Sequence, residues 1–435
     1  MIVNKWPDGS AMAEQTSALL AASNSTSAMH PIVGRERIDV IDILRGFTIF
    51  GILLVNMPLY GWPNWGPMRA IRAQLPGGPL DEAASWFLWL FAEDKFYPLL
   101  SFLFGVGFSI QLARLAASAT QFLSVYRRRL LALLFIGLVH GLLVWSGDIL
   151  VTYALTGFLL LPFRARSQKT ILVFAIALLL IPITLMPVQR DVHERCFAHI
   201  VGSDADYKAL WDESLRAYSH GTFAEISLER ARAVAWSLCW PISWLQILGL
   251  FLIGLYAGRR EFFQKLQTYL SFVGKALWWA LALGVVGMLN RAGVFKLPEL
   301  PGSYFSGFGE EGLQTIGNLG LSFFYAGALI LLAQRHAWKS RLAPLAAVGR
   351  MALSNYLLQS LVCTTLFYSY GFGLFGKVRP AAGLALSVAI YSVQLPLSQW
   401  WLRHFRFGPL EWVWRSLTYG KPQTMRLLPR VEPLH

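Results

Sequence analysis

Charged side chains are scarce in this sequence: Asp, Glu, Lys and Arg together make up 14% of 435 residues, too few to cover a soluble protein of this length. Cysteine is scarcer still. Cys196, Cys239 and Cys363 are the three present, and their spacing matches neither a disulfide framework nor a zinc motif. Acidic residues number 24 against 38 Lys and Arg, a net charge of +14. The first thirty-odd residues lack an apolar core of signal-peptide length, holding only the short run 18–22. Rich in Ser, Ala and Thr, residues 1–38 read as a disordered cytoplasmic lead. The glycine-containing run 302–312 (GSYFSGFGEEG) has neither the Lys nor the strand context of a phosphate cradle and reads as an external loop. No long internal repeat is visible.

Apolar residues are what the chain has in quantity, 55% of the total with 14% aromatic. They gather into ten segments, 40–60, 96–113, 130–146, 149–163, 171–188, 235–258, 276–290, 313–333, 347–370 and 381–402, most of them near the roughly 20 residues that span about 30 Å of hydrocarbon. With Arg127, Arg128 and Arg129 placed inside, alternation puts 24 Lys and Arg on the inner side and 12 outside, six of these in the long loop 189–234; Arg45 and Lys95, at span ends, complete the 38. That asymmetry is the positive-inside bias, which accounts for the net charge without any nucleic-acid partner. The expected fold is all-α: a polytopic membrane protein of about ten transmembrane helices with both termini inside, in a bacterial inner membrane. Residues 39–406 form the membrane domain. The loop 189–234 should be a helical external cap, with Tyr207, Leu210, Leu215 and Tyr218 as its apolar stripe. Residues 407–435 should form an amphipathic interfacial helix and tail: Pro409 suits a first helical turn, Leu410, Trp414 and Leu417 recur at helical spacing, Glu411 and Arg415 can pair at i,i+4, and Gly420 can close the end. The aromatic stretch 83–92 is half a span long and is expected in the interface or as a re-entrant helix.

In a membrane domain the informative side chains are the polar ones within spans, each costly unless it faces the bundle interior or a wet cavity. Asp42 and Arg45, three apart at the inner end of the first span, can pair; Asn56 lies near its outer end. Glu93, Asp94 and Lys95 stand at the outer mouth of the second span and can line a cavity or mark a boundary. His140 lies about ten residues in from the triple arginine, near mid-membrane, where an imidazole needs a hydrogen bond and can move protons near neutral pH. Asp148, eight residues on in an SGD turn, is out of its reach if the helix runs straight, and can cap the following helix. Asn355 and Gln359 share a face of the ninth span, where interhelical hydrogen bonding is the default reading.

The segments RIDVIDILRGFTIFGILLVNM, KFYPLLSFLFGVGFSIQLAR, VHGLLVWSGDILVTYALTG, VGRMALSNYLLQS and FRFGPLEWVWRSLTYG together resemble the YeiB-like family of bacterial inner-membrane proteins, a domain-of-unknown-function family. It is distantly similar to the transmembrane acyltransferases, which include the heparan-glucosaminide acetyltransferases and glycan O-acyltransferases. The resemblance implies transfer of an acyl group from a cytoplasmic donor such as acyl-CoA to a small-molecule or glycan acceptor at the far face, with no resident cofactor. In that reading His140 is the general base and Asp148 its assistant; Asn56, Glu93, Asp94, Lys95, Asn355 and Gln359 contact the acceptor, and Arg45 with Asp42 holds the donor. The catalytic histidines of the relatives, which would fall near Ala84 or in the first span, have no counterpart here. A transporter, or a non-catalytic assembly or sensor protein, is the alternative, and homo-oligomerisation stays open. The surroundings of His140 discriminate: a tunnel open to both faces favours transfer, a gated vestibule favours transport, and a filled core favours assembly.

Overall fold

With no water to bond exposed N–H and C=O groups, an apolar segment in hydrocarbon satisfies its backbone by coiling on itself. The computed structural model describes residues 39–63, 77–114, 119–185, 192, 195, 207–238, 241–295 and 308–427. The 1–38 lead, Cys196, Cys239, most of the 302–312 loop and the last eight residues lie outside them. Among the described residues every regular element is helical. In chain order these are α1 (Asp39–Gly61), α2 (Pro79–Phe87), α3 (Phe96–Arg114), α4 (Ala119–Leu143), α5 (Leu150–Leu160), α6 (Gln168–Thr184), α7 (Tyr207–His220), α8 (Phe223–Leu238), α9 (Pro241–Arg259), α10 (Leu266–Arg291), α11 (Phe308–Gln334), α12 (His336–Arg350), α13 (Ala352–Phe367), α14 (Pro380–His404) and α15 (Pro409–Tyr419).

Each of the ten apolar segments coincides with a helix, but fewer are long and apolar enough to cross a membrane alone. Five qualify: Asp39–Gly61, Pro79–Arg114, Leu266–Arg291, Glu311–Gln334 and Pro380–His404, with the bent pair Phe223–Leu238 and Ser243–Arg259 a sixth if taken together. The shortfall has identifiable causes. Helix α5 has 11 residues before it tightens into the 3₁₀ turn Leu161–Ala165, and α6 has 17. Helix α4 begins early enough to enclose Arg127, Arg128 and Arg129 and ends at Leu143, three residues short of the expected boundary. The stretch 83–92 is not a separate interfacial piece: α2 passes through the π-helical turn Leu88–Ala92 and a break at 93–95 into α3, one run of 36 residues. Asp94 turns the chain there in the left-handed region, φ 65°.

Two helix crossings bring backbone against backbone. A Cβ on Gly46 or Gly349 would overlap the carbonyl oxygen of Leu345 or Asp42, so α1 and α12 touch through their glycines; Gly105 against Phe251 and Gly254 against Phe102 do the same for α3 and α9. Small residues permit this approach, which is how helices gain contact in a solvent as apolar as their side chains. The main core gathers from both halves of the chain, with Leu53, Tyr60, Phe108, Trp145, Phe251, Cys363 and Phe367 among its members.

The cap expected in 189–234 is present as α7 and α8. Leu210, Trp211, Ser214, Ala217 and Tyr218 are buried and Leu215 is half-buried, while the side chain of Tyr207 lies outside the description. Ser214 donates to Glu229 Oε2 at 2.7 Å and Arg232 joins Glu213 and Glu229 at 3.1 and 2.8 Å, tying the two helices together. At the other end, α15 starts on Pro409 and closes at Gly420 in the left-handed region, φ 68°, as its sequence dictates. The expected partnership of Glu411 with Arg415 is replaced by a different bond. The Glu411 carboxylate accepts from the N–H of Leu353 at 2.7 Å, from the N–H of Ser354 at 3.1 Å and from the Ser354 hydroxyl. Free donors at the start of α13 and the positive end of its dipole outcompete a surface arginine. Burial nevertheless pushes the carboxyl pKa of Glu411 above its ordinary 4.5.

Candidate functional site: a buried histidine–aspartate pair

Helix α4 stops because its last turn tightens: the N–H groups of Val144 and Trp145 both bond to the carbonyl of His140, at 2.9 and 2.8 Å. The chain reverses through Ser146 and Gly147, where a side chain would collide with the Trp145 ring. Gly137, one turn before His140, lets the returning strand of chain close in, since a Cβ there would stand 2.8 Å from the Val151 nitrogen. Asp148 is therefore carried back alongside His140. Its Oδ1 accepts from His140 Nδ1 at 2.8 Å and its Oδ2 from the Val151 N–H at 2.8 Å. The sequence expectation that eight residues separate the two too far assumed a straight helix, and the helix is not continuous. The cap reading of Asp148 holds as well, one carboxylate oxygen serving each role.

Side-chain exposure is 0% for His140 and 2% for Asp148. Trp145 and Tyr356 wall the imidazole, with ring centroids 6.3 and 5.3 Å away. Tyr60 lies against Trp145 at 4.1 Å and its hydroxyl bonds Ser360 Oγ at 2.7 Å. Among the described residues His140 Nε2 has no hydrogen-bond partner. An aspartate on Nδ1 selects the tautomer that carries its proton there, which leaves Nε2 as a buried lone pair. Such an orphan acceptor costs about 1–3 kcal/mol. His–Asp pairs of this arrangement orient an imidazole for proton abstraction.

Sequence reasoning missed Arg230. It is fully buried on α8, donates to the carbonyl of Leu143 at 2.8 Å and to the Tyr370 hydroxyl at 2.9 Å, and sits 5.3–5.7 Å from the ring centres of Phe223, Tyr368 and Tyr370. It thus satisfies a terminal carbonyl of the helix that carries His140. Nothing in ERARA distinguishes it from its solvent-facing neighbours.

The other expected residues fall into three separate groups. Glu93 and Asp94 meet Arg291, which approaches them at 3.5 and 3.4 Å, donates to the Trp89 carbonyl at 3.0 Å and lies over the Trp89 ring; buried Lys95 donates to the same carbonyl at 3.2 Å. Asn355 and Gln359 build a seam between α13 and α14, with Asn355 donating to Ser398 Oγ at 3.0 Å, Gln359 to Gln394 Oε1 at 2.8 Å and Gln394 to the Asn355 carbonyl at 3.0 Å. Arg45 donates to Asp42 at 3.1 Å at the start of α1, where acidic residues complement the helix dipole. Asn56 is half-buried, one turn before Tyr60, and its side chain makes no hydrogen bond among the described residues. The structure brings only Asp148 to His140. No cluster of three His, Cys, Asp or Glu that could hold a metal occurs among the described residues.

Residues 257–421 match the family described as "Protein of unknown function (DUF418)". Over 410 residues, 90% of this chain and 97% of the relative, the sequence is 34% identical to the uncharacterized protein YxaH of Bacillus subtilis (strain 168). It is 32% identical over 399 residues, 88% of this chain and 96% of the relative, to the uncharacterized protein YeiB of Escherichia coli (strain K12). A third relative, an uncharacterized 39.9 kDa protein in the amylase 3' region of Bacillus acidopullulyticus, is 31% identical over 406 residues. With likeness of this extent from α1 through α15, the chain belongs to the YeiB-like family of membrane proteins.

Proposed function

We propose that this protein is a membrane acyltransferase in which His140 is the general base and Asp148 positions it. The observation that carries the reading is the 2.8 Å His140–Asp148 bond with Nε2 left without a partner, because an acceptor kept buried and unpaired invites a functional explanation. In the reaction, Nε2 takes the proton of an acceptor hydroxyl or amine as its oxygen or nitrogen attacks the thioester carbonyl. The C–S bond breaks, and the departing thiolate receives that proton. The donor is acyl-CoA on the inner side, with Arg45 at the rim; the acceptor is a small molecule or glycan at the outer face. Ten crossings, both termini inside, an inner-membrane setting and α15 lying amphipathically at the inner interface complete the proposal.

The α4–α5 hairpin fits this orientation. From Arg129 to Leu143 the helix rises about 21 Å at 1.5 Å per residue, short of the roughly 30 Å of hydrocarbon. Its tip therefore sits within the outer leaflet, beneath the cap helix that carries Arg230.

One observation favours a second reading. The space around His140 is filled by Trp145, Tyr60 and Tyr356 rather than open to both faces, as expected of a dyad that only pins the hairpin in an assembly protein. Purified protein in nanodiscs with radiolabelled acetyl-CoA and a total membrane extract separates the two. Acyl transfer that falls about 10²–10⁴-fold in His140→Gln, in protein whose unfolding midpoint stays within a few degrees, supports catalysis. Absence of transfer by the wild type overturns it.

A further inference from the structure

We propose that the crevice at the finishing end of α1, between α1, α2 and α14, binds an anionic phospholipid, with an acyl chain in the crevice and the phosphate on Arg379. This site is independent of the dyad chemistry. Met57, Trp62, Leu88, Phe367 and Leu384 line about 330 Å³ of unfilled space, part of it open to the surroundings, and Arg379 stands at the margin. The lining is otherwise apolar, so water gains little there and a hydrocarbon chain gains contact.

The margin is built rather than incidental. The Trp62 indole N–H donates to the Val378 carbonyl at 3.0 Å, and Asp81 Oδ1 accepts from the Ala381 N–H at 3.1 Å. Residue 379 is thereby held between two pinned neighbours at the start of α14. Its guanidinium is exposed and has no ion pair or hydrogen bond among the described residues. Lys377, also exposed, adds a second positive charge while donating to the Gly373 carbonyl. The nearby acid is Asp81, and both of its oxygens already accept backbone N–H groups, of Ala381 and of Gly78 at 3.1 Å. Charge complementarity therefore selects an anion, and a guanidinium fork suits a phosphate. The source is a lipid rather than a free phosphate because the mouth opens beside side chains that face hydrocarbon: Leu80, Trp86 and Phe87 on α2 are 74%, 44% and 45% exposed. Pairing a basic rim with an apolar slot between helices is a common means of holding an anionic headgroup.

The test is native mass spectrometry of the full-length protein released from nanodiscs containing equal phosphatidylglycerol and phosphatidylcholine. The wild type should retain one phosphatidylglycerol in preference to phosphatidylcholine. Arg379→Ala should lower that retention about tenfold, the loss of one charge-assisted contact, and Arg379→Lys should restore part of it. Gly383→Leu, which fills the slot without touching the charge, should lower retention of both lipids. Equal retention of the two lipids by the wild type, or retention unchanged in Arg379→Ala, overturns the proposal by showing annular lipid alone. Loss of bound phosphatidylglycerol to millimolar inorganic phosphate overturns it in favour of a free-anion site.

Discussion

Replacing Asp148 by Ala removes two bonds at once, and the structure apportions the loss. The first is the acceptor for His140 Nδ1 in a site with 0% side-chain exposure; leaving that N–H unpaired costs about 1–3 kcal/mol. The second is the bond to the Val151 N–H at the start of α5, a capping contribution of about 1 kcal/mol. Asp148→Ala should therefore destabilise by about 2–4 kcal/mol, read as the shift in the sodium dodecyl sulfate unfolding midpoint in mixed micelles. The double-mutant cycle with His140→Ala isolates the shared bond. Once His140 is gone, Asp148→Ala should cost only the capping contribution, so the coupling energy should be about 1–3 kcal/mol. A coupling below about 0.5 kcal/mol would mean that the two side chains do not hold one another, and both the positioning role of Asp148 and the proposed general base would lose their foundation.

Three further outcomes are expected. Gly349→Ala puts a methyl group onto the Asp42 carbonyl and should destabilise by about 1–3 kcal/mol or more, whereas Ala at Gly274, where a Cβ meets nothing within 4 Å, should be neutral or slightly stabilising in the same titration. Arg230→Leu leaves the Leu143 carbonyl and Tyr370 hydroxyl without their donor and should raise hydrogen exchange across α7 and α8; protection equal to wild type would refute the latch. Because the pKa of Glu411 is raised in the folded protein, its contribution is fully present below the unfolded value near 4.5 and is lost as pH rises through the folded value. Wild-type stability should decline across that window relative to Glu411→Gln, and identical pH profiles would count against the shift.

The helical architecture was legible because hydrocarbon-length apolar runs and their basic flanks record it directly. The number of full crossings was not, since an apolar run does not report where its helix stops: 130–146 reads as one span, yet α4 ends at Leu143. That stop also explains why His140 and Asp148 could each be named while their contact could not. It depends on Gly137 admitting the Val151 backbone and on Trp145 packing over Gly147, both tertiary events. Glu411 was legible as a helix residue and its partner was not, because the donors it meets belong to α13, 57 and 58 positions away. Arg230 left no trace in sequence; its burial follows from three aromatic rings supplied by two different segments.

The backbone contacts of α1 with α12 and of α3 with α9 bear on how this molecule can move. Two helices whose glycines rest on each other's carbonyls cannot slide without driving Cα atoms through oxygen, so each pair travels as one body. The α4–α5 hairpin is fastened differently, by rings and by the arginine reaching down from α8. Side-chain fastenings can swing through rotamers on a far shorter timescale than rigid bodies can shift. Any passage that opens toward His140 should accordingly follow the edges of this hairpin, leaving the two glycine-joined pairs as the fixed frame against which it tilts.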